Sequence, residues 1–252
     1  MSEREVRYEV GDDRVAVLTL DAPSRRNAMN LALVEEMVAA VDQAARDENV
    51  GALVVTGAGS AFCAGASLDH LADPGTDTEA GLRRVYEGFL SVARSPLPTV
   101  AAVNGPAVGA GMNLALACDV RVVSPAARFE ARFLDLGLHP GGGHTWMLQR
   151  LAGPQTAAAA VLFGEALDGN AAARHGVAWR CVAKEELLPT ARAMAARAAS
   201  MPRELSRRTK ATLQAMPSVA THAEAVDIEL AVQAWSTTQP DFAERLAKFR
   251  RK

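Results

Sequence analysis

The chain has 252 residues, 49% of them hydrophobic, which is enough for one large α/β core and argues against disorder. Its 27 basic and 29 acidic residues leave a net charge of −2, with no long run of one sign to track a phosphate backbone, so nucleic acid is not an expected partner. No run of about 18 apolar residues occurs, and the polar first nine residues lack the apolar stretch of a signal peptide, so the expectation is a cytoplasmic protein without membrane insertion.

Val6–Val10 and Val15–Leu20 alternate or run apolar around Gly11, Asp12 and Asp13, which predicts a β-hairpin. Leu31–Arg46 carries Leu33, Met37, Val38, Val41 and Ala45 at helical spacing behind Asn30, a good N-cap, and residues 51–56 form a short β-branched run. A second unit follows: a helix over 78–93, a strand over Thr99–Val103, a Gly-rich turn over 104–111, a helix through Cys118 and a strand over Val120–Val123. Alternation of strand and helix without internal sequence repeats predicts a mostly parallel sheet, or a coiled stack of such units, wrapped by helices. From Gln155 the pattern is helical, with one brief strand over 177–182 and an amphipathic last helix over 242–250.

Cys63, Cys118 and Cys181 are odd in number and far apart, which suits reduced thiols better than a disulfide framework or a metal site. Cys63 has no evident His and acid partners, so packing is its expected role. His70, His175 and His222 fall on helical stretches without carboxylate or metal partners, and read as structural or exposed.

Chemistry points to two glycine-rich loops, each following a β-branched strand: TGAGSAFCAGASL over 56–68 and NGPAVGAGM over 104–112. Small residues let a backbone approach a ligand and aim free N–H groups at it, and the second loop runs into a helix N-terminus, so the outline is that of an oxyanion hole. The alternative is that these glycines only make tight turns and close helix packing. Neither loop matches the phosphate-binding glycine patterns.

In these residues the chain is similar to the crotonase family, also called the enoyl-CoA hydratase/isomerase family, over nearly its whole length. The matching segments are PSRRNAM at 23–29, AFCAGASL at 61–68, PTVAAVNGPAVGAG at 98–111, Cys118 with Asp119, and LGLHPGGG at 136–143. The resemblance implies an α/β fold, a crotonase-like spiral of repeated β-β-α turns with a helical C-terminal region. It implies a CoA-binding core over 1–195, a helical trimerisation region over 196–252, and homotrimers or hexamers. It implies no permanently bound cofactor, with an acyl-CoA thioester as substrate or ligand. By position, the N–H groups of Ala66 and Ala110 would hold the thioester oxygen. Arg25 or Arg26 would meet phosphates, Ala64, Ser67 and Leu68 would border the adenine, and Lys248 would reach a neighbouring subunit's ligand. Arg25, Arg26 and Lys248 read equally well as solvated surface charge, and Ser67 stands where the family usually has Asp.

The chain departs from a hydratase. The two carboxylates that would position water and move its protons are replaced by Asn113 and Phe133, and Gly141 follows Pro140 where other members place a polar residue. An amide can orient a water but cannot serve as a base, and Phe133 only shapes an apolar wall. Glu130, Asp135, His139 and His144 remain as polar candidates, with His139 first among them because an imidazole titrates near neutral pH. Each has a structural alternative: a loop histidine for His139, a turn cap or Arg132 pair for Asp135, an ion-paired surface for Glu130. Two hypotheses of different class follow: an acyl-CoA enzyme stabilising a thioester oxyanion or enolate with a proton carrier other than the usual carboxylates, or a non-catalytic acyl-CoA carrier or sensor. A hydrolase or carbon–carbon lyase would use the same oxyanion hole.

Overall fold

The computed structural model describes residues 4–67 and 78–250. Strand β1 (Val6–Val10) turns into β2 (Val15–Leu20), antiparallel from Val6 opposite Leu20 to Val10 opposite Ala16. Helix α1 (Leu31–Arg46) starts at Asn30, whose side-chain oxygen accepts from the Leu33 N–H at 2.8 Å, the N-cap bond that such a residue supplies. Then come β3 (Ala52–Gly57), α2 (Thr78–Arg94), β4 (Thr99–Val103), β5 (Pro106–Val108), α3 (Ala110–Ala117) and β6 (Val120–Val123). Beyond these lie β7 (Arg128–Glu130), α4 (His144–Leu162), β8 (Leu167–Asp168), α5 (Gly169–Arg174) and β9 (Arg180–Cys181), and finally the helices α6 (Lys184–Ala199), α7 (Arg203–Ala215), α8 (His222–Thr237) and α9 (Pro240–Phe249).

The main sheet runs β1-β2-β3-β4-β6-β9, parallel except at β1, and a small second sheet runs β5-β7-β8. Both faces of the main sheet are covered, which is why its strands read as continuous apolar runs. Ala16, Leu18, Leu20, Leu53, Val55, Ala101 and Val103 face the larger core with α1, α2 and α3. Val15, Val17, Ala52, Val54, Val100, Ala102 and Val122 face Leu187, Ala191, Ala195 and Ala199 of α6. The alanines let α6 lie very close: a Cβ on Gly51 would sit 2.7 Å from the Ala199 Cα.

The α/β spiral and the early elements fall where the sequence predicts them. Differences are local and have physical causes. The helical stretch expected from Gln155 begins at His144, because Gly153 (φ +79) and Pro154 break a longer α4 that sequence reads as starting after the proline. Strands β5, β7 and β8 have only two or three residues, too few to show a period. The strand expected over 177–182 reduces to Arg180–Cys181, paired with β6.

Asp119 ties the C-terminal helices to this frame. Its carboxylate accepts from the Thr99 N–H and hydroxyl at 2.8 and 3.0 Å, and from Lys210 of α7 at 2.8 Å. Lys210 is buried and also donates to the Leu97 carbonyl at 2.8 Å. Breaking a buried pair by removing one partner costs about 3–5 kcal/mol. Asp119 keeps its Thr99 donors and is 34% exposed. Lys210→Met is therefore expected to lower unfolding free energy by about 2 kcal/mol in urea titration; a loss within about 0.5 kcal/mol, the range of ordinary surface changes, would show that the latch does not hold α7.

Candidate active site

The two glycine loops leave the C-terminal ends of β3 and β4, where ligands bind in open α/β sheets. Asn27 organises the first. Buried and left-handed (φ +58), it accepts from the Ala22 N–H at 3.0 Å and donates to the Ala58 and Ala61 carbonyls, both at 2.9 Å. The loop then runs between residues 26–29 and 106–108. The Ala64 N–H donates to the Arg26 carbonyl, Met29 N–H to Gly65, and Ser67 N–H to Met29. On the other side the Phe62 and Cys63 N–H groups donate to the Pro106 carbonyl and the Val108 N–H to Cys63.

This pairing leaves two N–H groups over. Met29 bonds the residues flanking Ala66, so the Ala66 N–H faces the other way and has no backbone acceptor among the described residues. Ala110 is the first residue of α3, ahead of any intrahelical acceptor, at the positive end of the helix. The two loops are in contact: a Cβ on Gly65 (φ +103) would lie 3.9 Å from the Ala110 nitrogen, and one on Gly111 would lie 2.1 Å from the Cys63 carbonyl oxygen. Glycine at 111 is what permits the approach.

One turn into α3, Asn113 is buried. Its Nδ2 donates to the Gly141 carbonyl at 3.0 Å, and its Oδ1 stands 2.7 Å from Nδ1 of His144. His144, the first residue of α4, is buried as well, and its Nε2 has no partner among the described residues. Burial pushes its pKa down to about 4, so the imidazole is neutral. Phe133 meets this imidazole edge-on at a centroid distance of 5.0 Å, and its ring lies 3.8 Å from where a Cβ on Gly109 would be. A Cβ on Gly141 would fall 2.1 Å from the Tyr86 hydroxyl. That hydroxyl occupies the space a side chain at 141 would need.

Ala66, Ala110 and Asn113 are thus brought together, and His144 joins them. The other sequence candidates are placed differently. Glu130 is buried between Arg128 and Arg132, at 3.0 and 2.5 Å. It borders a separate cleft with Asp135, Leu134 and Phe163. His139 and Asp135 are exposed, and His139 bonds the Pro140 carbonyl through Nδ1 at 2.7 Å. Arg25 is engaged by the Glu5 carboxylate through two bonds of 2.6 and 2.5 Å, which holds Glu5 below the usual carboxylate range. Arg26 is exposed, with no ion pair among the described residues, beside the half-buried Ala64 and Ser67. Lys248 is exposed on α9, and Leu68 and His70 lie outside the described residues. Cys63 is buried, with its thiol pushed up to about 12 by desolvation and directed at the Asn27 carbonyl, so it packs and does not act as a nucleophile. Among the described residues no group of three His, Cys, Asp or Glu could hold a metal ion, and no helix is long and apolar enough to cross a membrane.

A family model described as enoyl-CoA hydratase/isomerase matches residues 11–252. A protein of Mycobacterium tuberculosis named "Probable enoyl-CoA hydratase EchA14" is 50% identical over 242 residues, covering 94% of each chain. The 1,2-epoxyphenylacetyl-CoA isomerase of Escherichia coli K12 is 37% identical over 193 residues, covering 75% of this chain and 74% of its own. The crystal structure of an enoyl-CoA hydratase from Bacillus anthracis superposes with a TM-score of 0.92 at 27% identity, covering 98% of this chain and 96% of that one.

The buried neutral imidazole makes a pH prediction. The folded state keeps His144 unprotonated down to about 4 while the unfolded chain takes its proton near 6.5, so the contribution is complete above 6.5 and lost as pH falls to 4. The lowering from 6.5 to about 4 corresponds to roughly 3 kcal/mol. Urea unfolding of His144→Gln between pH 7 and 4 is expected to show a shallower loss than the parent chain by about that amount; parallel curves would mean that the imidazole titrates normally.

Proposed function

The chain belongs to the enoyl-CoA hydratase/isomerase family, and from that premise we propose that it binds the acyl thioester of coenzyme A with the carbonyl oxygen between the N–H groups of Ala66 and Ala110. The observation that carries this reading is the pair of unengaged N–H groups on two loops held in contact, one of them at a helix N-terminus. Polarising the carbonyl stabilises an enolate or a tetrahedral oxyanion. Donors fixed in advance need no reorganisation, and one such donor contributes about 10²–10³ in rate.

Hydration by a carboxylate pair is not what the site offers. Asn113 and Phe133 stand at those positions, and Gly141 cannot be replaced by a larger residue without moving Tyr86. The chemistry proposed is therefore enolate-type stabilisation with proton transfer by another group. For the CoA moiety, Arg26, which unlike Arg25 has no ion pair among the described residues, would meet phosphate near the Ala64 backbone, with Lys248 contributed to a neighbouring copy.

Residues 196–252 are proposed as the trimerisation region. Helices α8 and α9 bury no side chain within the described chain, while Val226, Leu230, Phe242 and Phe249 are exposed. Light scattering is expected to give a mass of roughly three or six times 26.6 kDa; a monomer would rule the assignment out.

Ala110→Pro tests the oxyanion hole. Proline is tolerated at the first position of a helix and removes only the N–H in question. Exchange of the hexanoyl-CoA α-hydrogen with solvent deuterium is expected to slow by about 10²–10³, with calorimetric affinity changed far less. An undiminished rate would sink the assignment. Tight binding without exchange in the parent chain would instead describe an acyl-CoA carrier.

A further inference from the structure

The unexplained feature of this site is a buried imidazole with one nitrogen engaged and the other not. Asn113 fixes which is which. Its Nδ2 is committed to the Gly141 carbonyl at 3.0 Å, so the oxygen of the amide faces His144 Nδ1 at 2.7 Å. An amide oxygen only accepts, so Nδ1 carries the proton and Nε2 presents a lone pair. That lone pair is buried with no partner among the described residues. A buried acceptor without a donor costs stability, and a folded protein retains one where a ligand supplies the missing group.

We propose that His144, oriented by Asn113, is the base of this site and carries a single proton along the acyl chain of a bound CoA thioester. The proposal rests on the acyl-CoA reading above and adds to it the proton carrier. Position supports it. Asn113 lies three residues after Ala110 on α3, which puts it on the same face and about 4.5 Å further along the axis. Phe133, in contact range of both the Gly109 position and the imidazole, links the oxyanion donors to His144.

Asn113 suits this role better than a carboxylate would. A negative charge at 2.7 Å would hold a second proton on the imidazole, whereas a neutral amide sets its orientation and leaves Nε2 unprotonated. Burial supplies the only perturbation resolved for His144. The groups around it are Asn113 on α3, Phe133, the backbone of 141–143, and Tyr86 of α2 at Gly141, with no carboxylate or cation among these contacts.

In the proposed step the bond between the α-carbon and its hydrogen breaks and the proton passes to Nε2. The electron pair enters the enolate, whose oxygen is held by the Ala66 and Ala110 N–H groups. The imidazolium, whose N–H trades its proton with solvent, then returns one proton to the α-carbon, or to the γ-carbon when a double bond is conjugated with the enolate. Nothing is consumed, and Phe133, packed beside the imidazole, has no group with which to activate a water.

The test measures α-hydrogen exchange of hexanoyl-CoA in deuterium oxide and conversion of 3-hexenoyl-CoA to the 2-enoyl isomer, with calorimetric binding of hexanoyl-CoA alongside. His144→Gln is expected to bind within about threefold of the parent and to lose at least about 100-fold in both rates. Asn113→Asp is expected to fold and to move the acid limb of the pH–rate profile to higher pH, because the added carboxylate favours the protonated imidazole, a shift that a purely structural role would not produce. Exchange at the parent rate in His144→Gln, or an unmoved profile in Asn113→Asp, overturns the assignment of His144. Binding without exchange in the parent chain also overturns it while leaving the acyl-CoA reading in place. Failure of the parent chain to bind hexanoyl-CoA overturns that reading itself, and this one with it.

Discussion

The structure depends on the close approach of two backbones at Cys63. Its N–H donates to the Pro106 carbonyl, its own carbonyl accepts from Val108, and Gly111 passes so near that any side chain there would collide with that carbonyl. The Ala66 and Ala110 N–H groups are held near one another by these bonds, not by a contact between themselves. Asn27 adds the third side, bonding the Ala58 and Ala61 carbonyls from a left-handed backbone. Main-chain donors in the role proposed for Ala66 and Ala110 need such a frame, because they have no side-chain identity and act only through where they are fixed.

The sheet explains why the frame sits where it does. Five strands run parallel and are packed on both faces, so the chain leaves β3 and β4 at the same edge and the loops meet there. The alanine face of α6 closes one side, and Lys210 and Asp119 fasten α7 to the start of β4. Site and scaffold are therefore coupled through β4: Asp119 anchors its first residue, and the second glycine loop begins just past its last.

Charge is sparse around the Asn113–His144 pair. Asn113, His144, Phe133, Phe89 and Tyr86 cluster around Gly109, Gly141 and Gly142, while Glu130 and Arg25 are held in ion pairs within the protein. A neutral, largely desolvated pocket strengthens fixed dipoles and favours a step that moves one proton over steps that must hold several charges.

By itself the sequence determined the features that depend on residues close together in the chain. The Asn30 cap, the hairpin, the buried strands and the two glycine loops follow from local periodicity and glycine placement, and the absence of a carboxylate at 113 follows from a register that the neighbouring glycines set. Only the tertiary structure decided which distant groups meet. Sequence ranks His139 ahead of His144, five residues apart in one loop, yet folding exposes the first and buries the second against Asn113, which lies 31 residues away. It likewise commits Arg25 to Glu5, 20 residues distant, and leaves Arg26 without an ion pair among the described residues. Strands β5, β7 and β8 were illegible because two or three residues carry no period, and they exist only as pairings. Local patterns report the preferences of neighbouring residues, whereas a hydrogen bond between remote side chains exists only once packing has fixed both backbones.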